Sequence, residues 1–212
     1  KNKILDAADV LFANKGFNGT SLREITSQAN VNLAAVNYHF GSKKELIKAV
    51  MSRYMDELSP RLESALSLIC QAELKPSLHE VFSAFIAPLL HLNEFKENGT
   101  STFLQLLGRG YTDSQGFLRW FLTTQYPDVF TNFTKAVNIA YPELSAEEIF
   151  WRLHFTMGTI VFTMSSSEAL IDIAQNDFDN KLDIAGVIER VIPYVAAGVG
   201  APITKIEPLS LQ

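Results

Sequence analysis

Apolar residues recur at helical spacing along most of the chain, and no stretch shows the alternating rhythm of a half-buried strand, so the sequence predicts an all-α protein. The first helix, residues 3–14, places Ile4, Leu5, Ala8, Leu11 and Phe12 on one side. Lys15-Gly16-Phe17 closes it, with a glycine at the C-terminal cap and Phe17 folding back, and Asn18-Gly19 makes the turn. Leu22, Ile25 and Ala29 then share one face of a short helix that turns Arg23, Glu24, Ser27 and Gln28 away. Ser21 and Glu24 have the spacing of a capping box. Asn30 can take the left-handed geometry that ends this helix, Val31 can plug the corner, and Asn32 can cap the next helix, residues 33–40. Residues 21–40 therefore form a helix-turn-helix whose apolar face the first helix covers.

A fourth helix is predicted from 43 to about 58, with Leu46, Ile47, Val50 and Tyr54 inward and a break or kink at Ser59-Pro60. Ser42 and Glu45 suggest a second capping box. Leu62, Ala65, Leu66 and Ile69 mark a helix over 61–72, and further helices follow over 77–92, 100–110, 115–141 with a disturbance at Pro127, 145–174 and 182–199. Residues 94–99, 142–144 and 175–181 are predicted connections, and the pattern is lost after Pro202.

The residues of the helix-turn-helix suit DNA. Helix 33–40 carries Leu33, Ala34, Ala35, Asn37, Tyr38 and His39, which are small, apolar or hydrogen-bonding. In a major groove, amide side chains pair with adenine edges, small apolar ones touch thymine methyls, and tyrosine or histidine reaches phosphate. The plain alternative is a helical hairpin whose polar face meets solvent. Lys43 and Lys44, in the first turn after the Gly41 stop, weigh against it. Cations oppose the dipole at a helix start, so that end serves an anion better than it serves stability. Thr20, Arg23 and Asn32 complete the candidate contact set.

From 4 to 50 the wording ILDAADVLFANKGFNGTSLREIT and VNYHFGSKKEL closely resembles the DNA-binding domain of TetR-family transcriptional repressors, the run Tyr38-His39-Phe40-Gly41-Ser42-Lys43 being its specific signature. ANVNLAAVNYHFGSKKELI, with SQGFLRWF and FWRLHF downstream, is similar to the PsrA-type branch, known for sensing long-chain fatty acids. The resemblance implies a DNA-binding domain at 1–50, a helical effector-binding and dimerisation domain at 51–212, and pairing of the last two long helices across a two-fold axis. Ile149, Leu153, Met157 and Ile160 on one helix and Val187, Ile188, Val191 and Val195 on the other have apolar faces suited to that pairing. An internal core is the alternative use of those faces.

The net charge of −5 is unusual for a DNA binder until it is divided along the chain. Residues 1–55 hold eight Lys or Arg against four acids, and the remainder ten against nineteen, so a basic end faces phosphate while an acidic body stays clear of it. With 47% hydrophobic and 19% charged residues the composition is that of a globule with a sizeable core. The single Cys70 cannot form an internal disulfide, no secretory leader pattern opens the sequence, and the longest apolar stretch, 155–164, is far short of the ~20 residues of a span. A cytoplasmic protein without membrane contact is expected, and the triplets at Asn18, Asn98 and Asn132 are chance matches to the glycosylation motif.

Twelve of the fifteen phenylalanines and both tryptophans lie after residue 80, more than one helix seam needs. They fill a core or accept an elongated apolar effector such as a fatty acid or acyl-CoA. The candidate lining is Phe85, Leu89, Phe103, Leu107, Arg109, Trp120, Phe121, Phe155 and Phe162, with Gln105, Arg109, Arg119, Arg152 and His154 as candidate polar handles. No metal or cofactor is expected: His39, His79, His91 and His154 lack ligand spacing, and nucleophile-elbow, P-loop and dinucleotide motifs are missing. Gly108-Arg109-Gly110 is too short for a phosphate loop, and Ser165-Ser166-Ser167 has no base beside it. The sequence thus predicts a non-enzymatic, homodimeric repressor of a palindromic operator, released by a fatty acid or acyl-CoA and controlling lipid metabolism genes. The rivals are a repressor of a drug-efflux gene sensing aromatic compounds and an acyl carrier that does not bind DNA.

Overall fold

The apolar stripe of the first helix becomes a packing face in the computed structural model, which describes residues 1–113, 116–179 and 181–203. Helix α1 (Asn2–Lys15) buries Ile4, Leu5, Ala8, Leu11 and Phe12. Gly16 ends it, and Phe17 returns edge-on to Phe12 with ring centroids 5.2 Å apart. Helix α2 (Leu22–Gln28) opens with the full Ser21–Glu24 capping box, and Lys15 Nζ adds a 2.9 Å bond to the same glutamate. That lysine bond and the Ser21 donors hold the Glu24 carboxyl down at about 2. Asn30 takes φ 51°, and Asn32 Oδ1 accepts the Ala35 amide at 2.9 Å to start α3 (Leu33–Phe40).

Helix α4 (Lys43–Gln71) departs from expectation by running 29 residues through Pro60 without a break. A proline inside a helix costs one backbone bond and roughly 3 kcal/mol. Leu58, Leu62 and Leu66, buried on both sides of Pro60, offset that cost by packing where α4 meets α5 and α9. The second capping box forms only by half: Ser42 Oγ accepts the Glu45 amide, while the Glu45 carboxylate turns to Lys48 at 2.8 Å.

The body follows as α5 (Leu78–Ile86), a 3-10 turn (Ala87–His91), α6 (Leu92–Phe95), α7 (Gly99–Asp113), α8 (Phe117–Gln125), α9 (Pro127–Ala140), α10 (Ala146–Ser165), α11 (Ser167–Phe178) and α12 (Ile184–Val199). Three predicted helices are therefore interrupted. Pro88 tightens 77–92 into 3-10 geometry, Pro127 starts a new helix rather than disturbing one, and 145–174 divides at Ser166. The connection predicted at 175–181 is shorter, because α11 continues to Phe178 and stops at Asp179 with φ 51°. The predicted helix start at Gln115, the Ser165 side chain, Asn180 and the tail from 204 onward lie outside the described residues.

α12 packs on α5 and α10, α10 on α7, and α7 in turn on α1. One cluster of buried side chains thus runs from Ile4 to Val199. Residue 50 lies within α4, so a continuous helix carries the first three helices into the body. Among the described residues there is no strand, no helix long and apolar enough to cross a membrane, and no group of three metal-ligating side chains.

Candidate nucleic-acid interface

Helix α3 buries a single residue, Val36. An eight-residue helix is too short to hold itself in water, so its order comes from the Asn32 cap, from Val36 and from contact with α2 and α4. Gly41 ends it with φ 74°, a conformation costly for any side chain, which lets α4 begin two residues later. What this scaffold displays is the candidate set: Ala34, Asn37 and His39 are exposed, Leu33 is 40% and Tyr38 86% exposed, and Ala35 is half-buried beneath them. Tyr38 and His39 meet edge-on at 5.1 Å. Arg23 on α2 and Asn32 at the start of α3 are exposed, and beyond the end of α3 Lys43 is half-buried and Lys44 exposed.

Thr20 requires correction. It is 1% exposed, and its hydroxyl donates to the carbonyls of Leu11 at 3.1 Å and Gly16 at 2.8 Å. It ties the end of α1 to the start of α2 and has no hydroxyl proton left for phosphate.

The residues of the proposed effector lining differ in their surroundings. Phe85 stacks on Phe133 at 4.1 Å, Phe103 on Tyr54 at 5.5 Å, and Leu89 and Phe121 are buried in the core. Leu107 is half-buried, Trp120, Phe155 and Phe162 are exposed, and Arg109 donates to the Asn14 carbonyl of α1 at 3.2 Å. Two hollows among the described residues are an open groove of about 640 Å³ along α9, past Phe130, Thr134 and Ile139, and a polar one of about 170 Å³ between Glu57, Arg61, His91 and Glu94. None of these nine residues lines either hollow. Two further candidate handles are engaged within the chain: Arg152 binds Glu148 and the Val199 carbonyl, and His154 Nδ1 lies 2.6 Å from the Phe150 carbonyl. Helical spacing shows which side of a helix is covered, not whether the cover is a solid core or a ligand.

The proposed dimer face turns inward for the same reason. Ile149, Ile160, Val187, Val191 and Val195 are at most 9% exposed, and Leu153 and Met157 are half-buried, where α10 meets α12 and α7. The large apolar side chains left outside on these helices, among the described residues, are Phe150 at 42%, Trp151 at 51%, Phe155 and Phe162 at 66% each, and Tyr194 at 68%.

Sequence reading missed a buried ionic cluster at the foot of α1. Asp9 is 1% exposed and accepts hydrogen bonds from the Tyr54 hydroxyl at 2.7 Å and from Lys96 Nζ. Its Oδ1 has no partner among the described residues. Burial first, and then Asp9, push the Tyr54 phenol well above its ordinary range. Arg53 pairs with Asp6 at 2.8 Å beside this cluster. An aspartate two residues before Leu11 and three before Phe12 was the available signal, since a charge so close to the core face needs a partner.

Comparison with known proteins agrees with this geometry. Residues 4–50 match the family described as "Bacterial regulatory proteins, tetR family", and residues 83–198 match "Tetracyclin repressor-like, C-terminal domain". Over 69 residues the chain is 44% identical to the HTH-type transcriptional regulator YttP of Bacillus subtilis, covering 32% of this chain and 33% of that protein. Over 59 residues it is 39% identical to IcaR of Staphylococcus aureus, the HTH-type negative regulator of the biofilm operon icaADBC, covering 28% of this chain and 32% of that one. The chain thus matches about a third of the length of these curated relatives. Among solved structures, a TetR-like regulator from Rhodococcus sp. RHA1 superposes with a TM-score of 0.59 at 16% identity, covering 95% of this chain and 96% of that one. A Clostridium perfringens protein described as a fatty acid metabolism regulator gives 0.51 at 20% identity, covering 96% and 100%. These two likenesses show the fold alone. The match over 83–198 spans more than half of the sequence and the match over 4–50 covers the helix-turn-helix, so the chain belongs to the tetR family of bacterial regulatory proteins.

Proposed function

We propose that this regulator is a ligand-responsive repressor, with residues 1–50 binding operator DNA and 51–212 binding effector and forming a homodimer. It is a regulator and not an enzyme. The observation that carries the DNA reading is α3, which buries only Val36 and gives Asn37, Tyr38 and His39 to solvent. One such helix covers few base pairs, so a two-fold dimer on a palindrome doubles contacts and information. A cytoplasmic location follows from that reading, since operator DNA is there.

Phosphate and base contacts separate experimentally. Tyr38→Phe, Lys43→Ala and Lys44→Ala are expected to weaken binding to all sequences, each lysine change lowering the salt slope by about 1. Asn37→Ala and Ala35→Ser are expected to alter sequence preference, by about 1–3 kcal/mol at the contacted base. Salt titration of binding to specific and arbitrary duplexes measures both, and unchanged slopes in folded lysine variants would refute the phosphate assignment.

For the effector, the aromatic body, the PsrA-like wording and the fatty-acid-related structural neighbour support a long-chain fatty acid or its coenzyme A thioester. The packing of Phe85, Phe103 and Phe121 means that the acyl chain must select a more open body. A hundredfold loss of DNA affinity needs about 2.7 kcal/mol of coupling at ~1.4 kcal/mol per decade. A few methylenes buried only in the released conformation, at ~0.8 kcal/mol each, supply that. DNA release titrated against acids of increasing chain length, their thioesters and planar aromatic drugs should track chain length. Release by the drugs alone would replace this reading with that of an efflux-gene repressor, and acyl binding without DNA binding would indicate a carrier.

A further inference from the structure

Two aromatic rings of the body lie beneath lysines at the start of α4. Lys44 Nζ sits 4.4 Å from the Phe117 ring centroid, and Lys48 Nζ sits 5.9 Å from the same ring and 5.7 Å from that of Trp120. Lys44 and Lys48 are one turn apart on α4, Phe117 and Trp120 are one turn apart on α8, and the two rings stack with centroids 6.5 Å apart. The shelf is set by Gly116, whose φ of 89° begins α8 in a conformation that a side chain would resist. Trp120 remains 57% exposed, so the shelf is open on its outer side.

The two lysines are held differently. Lys48 also pairs with Glu45 at 2.8 Å, whereas Lys44 forms no ion pair among the described residues, and the Phe117 ring is the described partner of its ammonium. A lysine at a helix start is opposed by the helix dipole and loses rotamer freedom when it is fixed. Attraction to the negative face of a ring compensates both effects. A ring takes one side of an ammonium group and leaves its other N–H donors free.

We infer that Phe117 is a positioning residue for DNA binding: it holds the Lys44 ammonium ready for a phosphate. This rests on the assignment of Lys44 to phosphate made above. Phe117 itself touches no DNA; it acts by ordering Lys44 before binding, so that less freedom is lost when the contact forms. Because α8 packs on α7 and α9, movement in the body reaches a phosphate contact without displacing α3.

The test is a double-mutant cycle on the full-length chain, read as affinity for a short duplex of arbitrary sequence across a salt series. Such a probe suits an unidentified operator, since phosphate contacts do not depend on sequence. Phe117→Leu is expected to weaken binding about two- to fivefold with Lys44 present and to do nothing in the Lys44→Met background. Phe117→Tyr, which keeps the ring, should bind like the native protein. Pentafluorophenylalanine at 117, which keeps the shape and reverses the ring quadrupole, should behave like Leu and so guard against a folding artefact. Equal losses in both backgrounds would reduce Phe117 to a packing residue, and tighter binding by Phe117→Leu would show that the ring withholds the lysine; either result overturns the inference. If Lys44→Met changes neither affinity nor salt slope, the phosphate assignment beneath the inference fails instead.

Discussion

Lys96→Met is expected to destabilise the protein by about 3–5 kcal/mol, a large share of the total stability of a domain. The lysine supplies the counter-charge to Asp9, which is 1% exposed and has one carboxylate oxygen without a partner among the described residues. Removing the cation leaves a buried charge supported by the Tyr54 hydroxyl alone, and that is costlier than having no polar group there. The triple variant Asp9→Leu, Tyr54→Phe, Lys96→Met should therefore recover most of the loss, because it removes donor, acceptor and cation together. Urea unfolding at neutral pH measures all three proteins. A loss below about 1 kcal/mol in Lys96→Met would class the pair with solvent-screened surface bridges.

The same cluster sets an alkaline limit. The Tyr54 phenol ionises in the unfolded chain near its ordinary 10.0 but at a higher pH in the folded one, so its contribution is complete below about pH 10 and is lost as the pH rises further. Tyr126, pushed up to about 12 by burial and by its bond to Asp56, works in the same direction. The cluster also joins elements far apart in the sequence. Asp9 belongs to α1, Tyr54 to α4, and Lys96 to the connection between α6 and α7.

Phe155→Asp is expected to separate the proposed dimer and abolish operator binding at concentrations where the native protein is bound. Trp151, Phe155 and Phe162 form an outer stripe on α10, and Tyr194 is its counterpart on α12. A two-fold interface carries every substitution twice, so losing a hot spot of about 2 kcal/mol weakens association by roughly a thousandfold. Val191→Asp is the control: at 5% exposure that side chain is inside one chain, and the charge should unfold the protein rather than divide a dimer. Sedimentation distinguishes the outcomes, and a Phe155→Asp protein that stays dimeric would place the contact elsewhere.

Local chemistry explains how much of the first forty residues was legible. Capping at Ser21 and Asn32, the left-handed turn at Asn30 and the glycine stop at Gly41 are decided by residues two to four apart, and each formed as its spacing predicted. The all-α class was legible for the same reason. Pro60 was misjudged because a local rule was applied where long-range packing against α5 and α9 decides. Thr20 was misjudged because a hydroxyl at a helix corner looks the same in sequence whether it faces phosphate or the carbonyls of Leu11 and Gly16.

The sequence by itself determined which faces of the helices are apolar, where most helices start, and that a basic amino-terminal end is joined to an acidic body. Only the tertiary structure decided what those faces cover. Periodicity is a property of one helix, whereas burial belongs to a pair. The Val191 stripe of α12 proved to be internal core, while Phe155 on α10 remained outside. Likewise nothing along the chain couples Asp9 to Lys96 or Lys44 to Phe117, since their charges and rings meet only once α1, α4, α7 and α8 have packed together.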